Sequence, residues 1–273
     1  MTTEKTNTPL FSNLSIKAGK RFIALRLKAL KRLPLRRAVL RMRYRYKSPG
    51  LVTNVFGIDF PNPLGLAPGL DFNAMFLDEL SIFGFSFLEI DCNNINKALD
   101  NIKLATGKAI KVASIDVAAY QLPLKETVAE SRKAFSLIYD FVDMFVICVK
   151  DPDTLPAIID PMLDTRVSYD SYKPMVVKIL PETPDSDIME ILKYCMLYGI
   201  DGIMTPVSCI KKVCSMSNNR ITVIASGNIL TPQDAAKALD DGASLIELST
   251  DILKKGHKLV RRMLKHLDPN ISR

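Results

Sequence analysis

Between residues 173 and 267, short apolar runs of strand length alternate with amphipathic stretches of helix length, and no other feature constrains the fold as tightly. Residues 175–179, 202–204, 222–225 and 244–248 read as buried strands, and 186–198, 233–239 and 256–267 as helices. Thr231-Pro232 marks one helix start, since a proline in the first turn lacks an amide that would be unpaired there anyway. Strands that are apolar on both faces and separated by helices form a parallel sheet covered on both sides. The segment therefore predicts the closing units of a parallel β/α barrel, whose strand-end loops face a ligand site.

The same logic runs upstream. Residues 55–60 and 62–67 read as a strand pair ending at Pro68-Gly69, followed by a helix over 73–83. Further apolar strands are expected at 85–90 and 144–149, with a helix over 125–139. No near-identical repeat of roughly 20 to 50 residues occurs, which argues against a solenoid. The expected architecture is a (β/α)8 TIM barrel over residues 51–273 with an incomplete set of upper loops, preceded by a basic helical leader over 1–50. A chain of 273 residues, 48% hydrophobic and 24% charged, can bury such a core.

The charge is unevenly placed. Residues 1–50 hold 14 Lys and Arg against one acid, Glu4, a net +13, while the other 223 residues hold 23 basic and 28 acidic side chains, a net −5. Phe22, Ile23, Leu25, Leu27, Leu30 and Leu33 interleave with Lys20, Arg21, Arg26, Lys28, Lys31 and Arg32, the pattern of a basic amphipathic helix broken near Pro34, with a second short helix over 36–46. Such a leader suits an anionic membrane surface, where each basic residue contributes roughly 1 kcal/mol, or a solvated cap on the barrel. Phosphate contacts to nucleic acid are a weaker alternative, because Gly- and aromatic-interleaved basic repeats are missing.

The other side chains exclude several chemistries. Five cysteines, never spaced as C-x-x-C, fit neither a disulfide framework nor a zinc site and suit a reducing cytosol. Only His257 and His266 are available for a catalytic triad or a histidine-bound metal, and both are expected on a helix surface. No uncharged apolar run reaches about 18 residues and no secretory signal pattern follows the N-terminus, so the expected location is cytoplasmic, peripheral to the inner face of the membrane.

Val55-Phe56-Gly57-Ile58-Asp59-Phe60-Pro61-Asn62-Pro63-Leu64-Gly65-Leu66-Ala67-Pro68-Gly69-Leu70-Asp71 closely resembles the opening of dihydroorotate dehydrogenases, F-G-x-x-F-x-N-P-x-G-L-A-A-G-F-D-K-N. Further matches follow in order at residues 84–90, 173–179, 199–203 and 241–246. With its helical leader the chain is similar to the quinone-using, membrane-associated class. The resemblance implies an FMN enzyme that oxidises dihydroorotate to orotate in pyrimidine biosynthesis and passes electrons to quinone.

That chemistry needs a base, a flavin to accept hydride, and donors for the product's carboxylate and amide edges. By resemblance, Ala67, Gly69, Lys178, Gly227, Ser249 and Thr250 are the candidates to contact FMN, and Asp151 takes the position of the base. Lys178 would stabilise negative charge on the reduced ring, or else pair with a nearby acid. The remaining motif positions are altered. Phe72 replaces the substrate-binding lysine, Cys148 and Asp153 replace asparagines, Pro206-Val207-Ser208-Cys209 replaces T-N-T-T, and Asn228 and Asp251 enter the phosphate loops. The long loop after Ile90 is also missing. Three readings follow: a barrel that has lost the parent reaction, a flavin oxidoreductase with another substrate, or a non-catalytic binding or membrane-peripheral scaffold.

Overall fold

The computed structural model describes residues 16–69, 74–92, 95–253 and 258–271. The leader forms α1 (Ile16–Lys31) and α2 (Pro34–Tyr44), with Pro34 in the first turn of α2 where its missing amide costs nothing. A hairpin of β1 (Thr53–Val55) and β2 (Ile58–Phe60) follows, then β3 (Leu64–Leu66), α3 (Leu77–Leu80), β4 (Phe87–Asp91), α4 (Ile95–Leu104), β5 (Ile110–Asp116) and α5 (Leu124–Ile138). The second half runs β6 (Met144–Cys148), α6 (Leu155–Val167), β7 (Met175–Lys178), α7 (Asp185–Leu197), β8 (Gly202–Pro206), α8 (Ile210–Met216), β9 (Thr222–Gly227), α9 (Pro232–Asp240), β10 (Leu245–Leu248) and α10 (Lys258–Leu267). Strands β3 to β10 pair in sequence order, all parallel, and β10 closes back onto β3.

The predicted (β/α)8 barrel is therefore present and its sheet is closed. Three local expectations need correction. The stretch 55–60 is not one strand but the hairpin β1–β2, because Phe56 and Gly57 both take left-handed φ (57° and 78°) and turn the chain back. The helix expected over 73–83 contracts to α3 followed by a 3₁₀ turn at Ser81–Phe83, and its first residue, Asn73, lies outside the described residues. Strand β5 was not expected, because Lys111, Ser114 and Asp116 break its apolar run. The start of the helix predicted over 256–267 also lies outside the described residues, from which α10 begins at Lys258.

Two cores hold the fold. The larger lies between the sheet and the helices; the smaller fills the barrel with Phe87, Val112, Val146, Val176, Met204, Ile224 and Leu245, closed below by Val55 and Phe60 of the hairpin. The rings of Phe60 and Phe87 meet edge to face at a centroid distance of 5.9 Å. Gly65 is required there, since a Cβ on it would stand 2.1 Å from the Phe87 ring. The leader packs on the barrel flank through Leu27, Leu30 and Tyr44, all buried, each leucine contributing roughly 1.5–3 kcal/mol. Arg37 bridges Glu79 at 3.4 Å, and Arg261 donates to the Arg43 carbonyl at 2.9 Å. No described helix is long and apolar enough to cross a membrane.

Candidate active site at the barrel mouth

Side chains alternate in and out along each barrel strand, and the inward set changes character towards the C-terminal ends. Above the apolar filling, the next inward residue is Glu89 on β4 (after Phe87), Ser114 on β5 (after Val112), Cys148 on β6 (after Val146), Lys178 on β7 (after Val176), Ser226 on β9 (after Ile224) and Glu247 on β10 (after Leu245). The strands thus present a polar layer at the face where barrels of this kind keep their sites.

Its centre is an ion cluster. Lys178 Nζ lies 3.3 Å from Glu89 Oε1 and 3.2 Å from Glu247 Oε2, and both carboxylates are buried, at 6% and 2% exposure. Burial alone would lower the lysine's pKa, but the two carboxylates outweigh it and hold the ammonium charged above its ordinary range. Burial, and then the charge of Glu89, push Glu247 well above the usual carboxylate range. Glu89 moves the other way: burial would raise it, but the attraction of Lys178 and hydrogen bonds from Glu247 and Ser114 keep it below. Glu89 Oε2 and Glu247 Oε1 lack any conventional donor, which fits one proton shared between the two acids. Two carboxyl groups, one ammonium and one proton give a neutral, self-paired centre.

The predicted contacts surround this layer. Ala67 and Gly69 follow β3; the Ala67 amide donates to the Leu248 carbonyl at 2.9 Å, and Gly69 takes φ 106°. Gly227 ends β9 in a left-handed conformation (φ 97°) and is exposed, and its carbonyl accepts from Ile229 N at 2.6 Å. Ser249 and Thr250 follow β10, half-buried, and the Ser249 carbonyl accepts from Ile252 N at 3.0 Å. Asp151 is exposed after β6, where its carboxylate accepts from Asp153 N at 3.0 Å and caps a short 3₁₀ turn. Cys148 is buried below it, and burial pushes its thiol up to about 12, far from a reactive thiolate. Phe72 and His257 lie outside the described residues, and His266 is on the exposed face of α10. The two glutamates escaped sequence reasoning. The available signal was a charge two positions after an inward apolar residue, near the C-terminal end of a strand.

FMN demands a cation free to meet the reduced ring and a site tolerant of its phosphate. Among the described residues the lysine of the polar layer, Lys178, already holds two carboxylates, so these residues do not fit that demand.

The fold and the mouth define a (β/α)8-barrel protein whose strand-end layer is a buried Glu–Lys–Glu cluster flanked by an N-terminal helical pair. The sequence model described as Dihydroorotate dehydrogenase matches residues 199–271. Dihydroorotate dehydrogenase (quinone) from Salinispora arenicola is 26% identical, covering 89% of this chain and 91% of its own length. Its counterpart from Coxiella burnetii is 24% identical, covering 80% and 85%. The alignment with the former spans 315 positions against a chain of 273, so the relative carries residues with no counterpart here. A solved Eimeria tenella DHODH, in complex with ferulenol, superposes with TM-score 0.72 at 18% identity, covering 86% of this chain and 89% of that one. Over most of its length the chain is thus similar to dihydroorotate dehydrogenases.

Proposed function

We propose that this chain is a family member that keeps the barrel and has lost the oxidation of dihydroorotate. The observation that carries this reading is the cluster at Lys178: a cation held at 3.2–3.3 Å by two buried carboxylates has no charge to offer an anionic reduced ring or a carboxylate substrate. The setting of Asp151 supports it. As the base, Asp151 would need desolvation to raise its proton affinity, yet it is exposed and turned to its own loop. The test is the visible spectrum of the purified protein before and after FMN addition, followed by dihydroorotate-dependent quinone reduction. The expected result is no flavin band and no turnover; activity that disappears in Lys178→Ala overturns the reading and restores an active flavin oxidoreductase.

A second observation favours retained binding at the leader. A cleft of about 210 Å³ lies where α1 and α2 meet the barrel, lined by Ile23, Leu27, Leu30, Leu40 and Phe83 with Arg26 and Arg36. Its apolar walls and two arginines suit a ring compound with carbonyl acceptors, the chemistry of a quinone. Leu25, Leu35, Val39 and Met42 are exposed on the same helices among arginines, which supports seating on an anionic membrane surface. Thermal stabilisation by a short-chain quinone and salt-sensitive flotation with anionic liposomes test these two parts; failure of both removes the scaffold reading.

A further inference from the structure

The N-terminal face of the barrel, opposite the mouth, carries a second polar feature that owes nothing to the redox reading. A cleft of about 200 Å³ opens where the end of α2 and the linker after it meet the residues that precede β3, β4 and β5. Arg41, Arg45 and Lys47 line it from the leader side and Lys108 from the barrel side. Among the described residues, no carboxylate lies within ion-pair distance of any of the four, although Arg37, one turn earlier on α2, is paired to both Asp78 and Glu79. The acids nearest this corner are committed elsewhere. Asp78 accepts from Thr106 N, the Thr106 hydroxyl and Gly107 N, and Asp268 accepts from the Tyr46 hydroxyl and Asn270 N.

The neutral donors in the cleft are likewise spent. Asn62 Nδ2 donates to the Gly84 carbonyl at 3.0 Å and the Ser86 hydroxyl to the Leu64 carbonyl at 2.9 Å. Recognition there falls to the cations. The C-terminal dipole of α2 offsets roughly half a charge of the four, so a net positive recess remains, lined from two segments far apart in sequence. Like charges gathered in a concave site focus the field and raise the local concentration of an anion. Arginine forks match the oxygens of a phosphate, and lysines add point charges to the same group.

We propose that this cleft binds a phosphate ester, held by Arg41, Arg45, Lys47 and Lys108. The ester comes either from a soluble molecule or from an anionic lipid headgroup, and one experiment separates the two. The full chain is titrated with glycerol 3-phosphate in a calorimeter and, separately, floated with phosphatidylcholine vesicles with and without phosphatidylglycerol. Each assay is repeated on the triple variant Arg41→Gln/Arg45→Gln/Lys108→Gln and on a charge-matched control, Lys125→Gln/Lys193→Gln/Lys265→Gln. All six side chains are exposed, and circular dichroism checks that both variants remain folded. Loss of even one contacting charge weakens binding by roughly tenfold, so the cleft variant loses at least that much while the control stays within twofold. Saturable glycerol phosphate binding with that pattern assigns a soluble ester; binding confined to phosphatidylglycerol vesicles, with the same pattern, assigns the headgroup. No binding of either probe at low salt, or equal weakening in both variants, overturns the proposal.

Discussion

Replacing Lys178 with Met tests the ion cluster directly. The substitution removes the ammonium but keeps the length and apolar stem of the side chain, leaving Glu89 and Glu247 buried around a missing cation. Breaking a buried pair by removing one partner costs roughly 3–5 kcal/mol. The lysine side chain is 19% exposed, so some water reaches the cluster and the lower end, about 3 kcal/mol, is the better expectation. That corresponds to between a hundred- and a thousandfold in the folding constant. The penalty depends on pH. Without Lys178 the attraction that lowers Glu89 is gone, and both carboxyls titrate above their unfolded values. A group with a raised folded pKa contributes stability that is complete below the unfolded pKa and is lost as pH rises through the folded one. The variant is therefore least damaged near pH 5 and most damaged near pH 8. Urea unfolding followed by circular dichroism at both pH values measures this, and adding Glu89→Gln and Glu247→Gln to the variant recovers most of the loss at pH 8. A Lys178→Met protein as stable as the parent at pH 8 would refute the view that the cluster is a self-paired structural centre.

Three other expectations follow from the same geometry. Glu247→Gln replaces a carboxyl that burial and Glu89 push well above its usual range with a neutral isostere, so it should be neutral or stabilising and remove the stability loss that this carboxyl imposes as pH rises through its folded pKa; an unchanged pH profile in urea unfolding contradicts the shared proton. Gly65→Ala drives a methyl into the Phe87 ring, at 2.1 Å before relaxation, and should destabilise by about 3 kcal/mol or prevent folding, read from the thermal midpoint or soluble yield. In native protein at neutral pH, a thiol reagent should modify Cys209 and Cys214, which are partly exposed, well before Cys92, Cys148 and Cys195, which are buried; mass spectrometry of tryptic peptides after timed labelling checks the order.

The closing barrel units were legible because each strand from β7 to β10 is mainly apolar on both faces before its polar mouth residue and flanked by a helix signal, and Thr231-Pro232 produces the capped start of α9. Sequence reasoning weakened wherever inward and outward positions differed in polarity. Strand β5 places Val112 and then Ser114 in the barrel while Ala113 and Ile115 face the helices, so its polar mouth residues disguised it as a loop. The hairpin turn puts a phenylalanine at positive φ, a conformation that no residue preference announces. The site was harder still. Lys178 was visible as a buried charge, but its partners lie 89 and 69 residues away, and their approach is a property of barrel closure rather than of any local pattern.

That closure also decides where the protein's charge is free to act. In the mouth layer the ammonium of Lys178 is paired with both Glu89 and Glu247, and burial favours the neutral form of Glu247, so the cluster itself offers little free positive charge to an anion. Cations without such a match lie instead on the leader and at the opposite rim, where Arg41, Arg45, Lys47 and Lys108 have no carboxylate within ion-pair distance among the described residues. The two faces differ in their sensitivity to salt. Folding energetics at the mouth come from buried, short-range contacts that a Debye length of about 8 Å hardly screens, whereas anion capture at the exposed rim weakens steadily as ionic strength rises. Raising salt from low to physiological levels should therefore leave the pH-dependent stability of the barrel nearly constant while reducing phosphate-ester binding; equal sensitivity of both would mean that mouth and rim are not electrostatically independent.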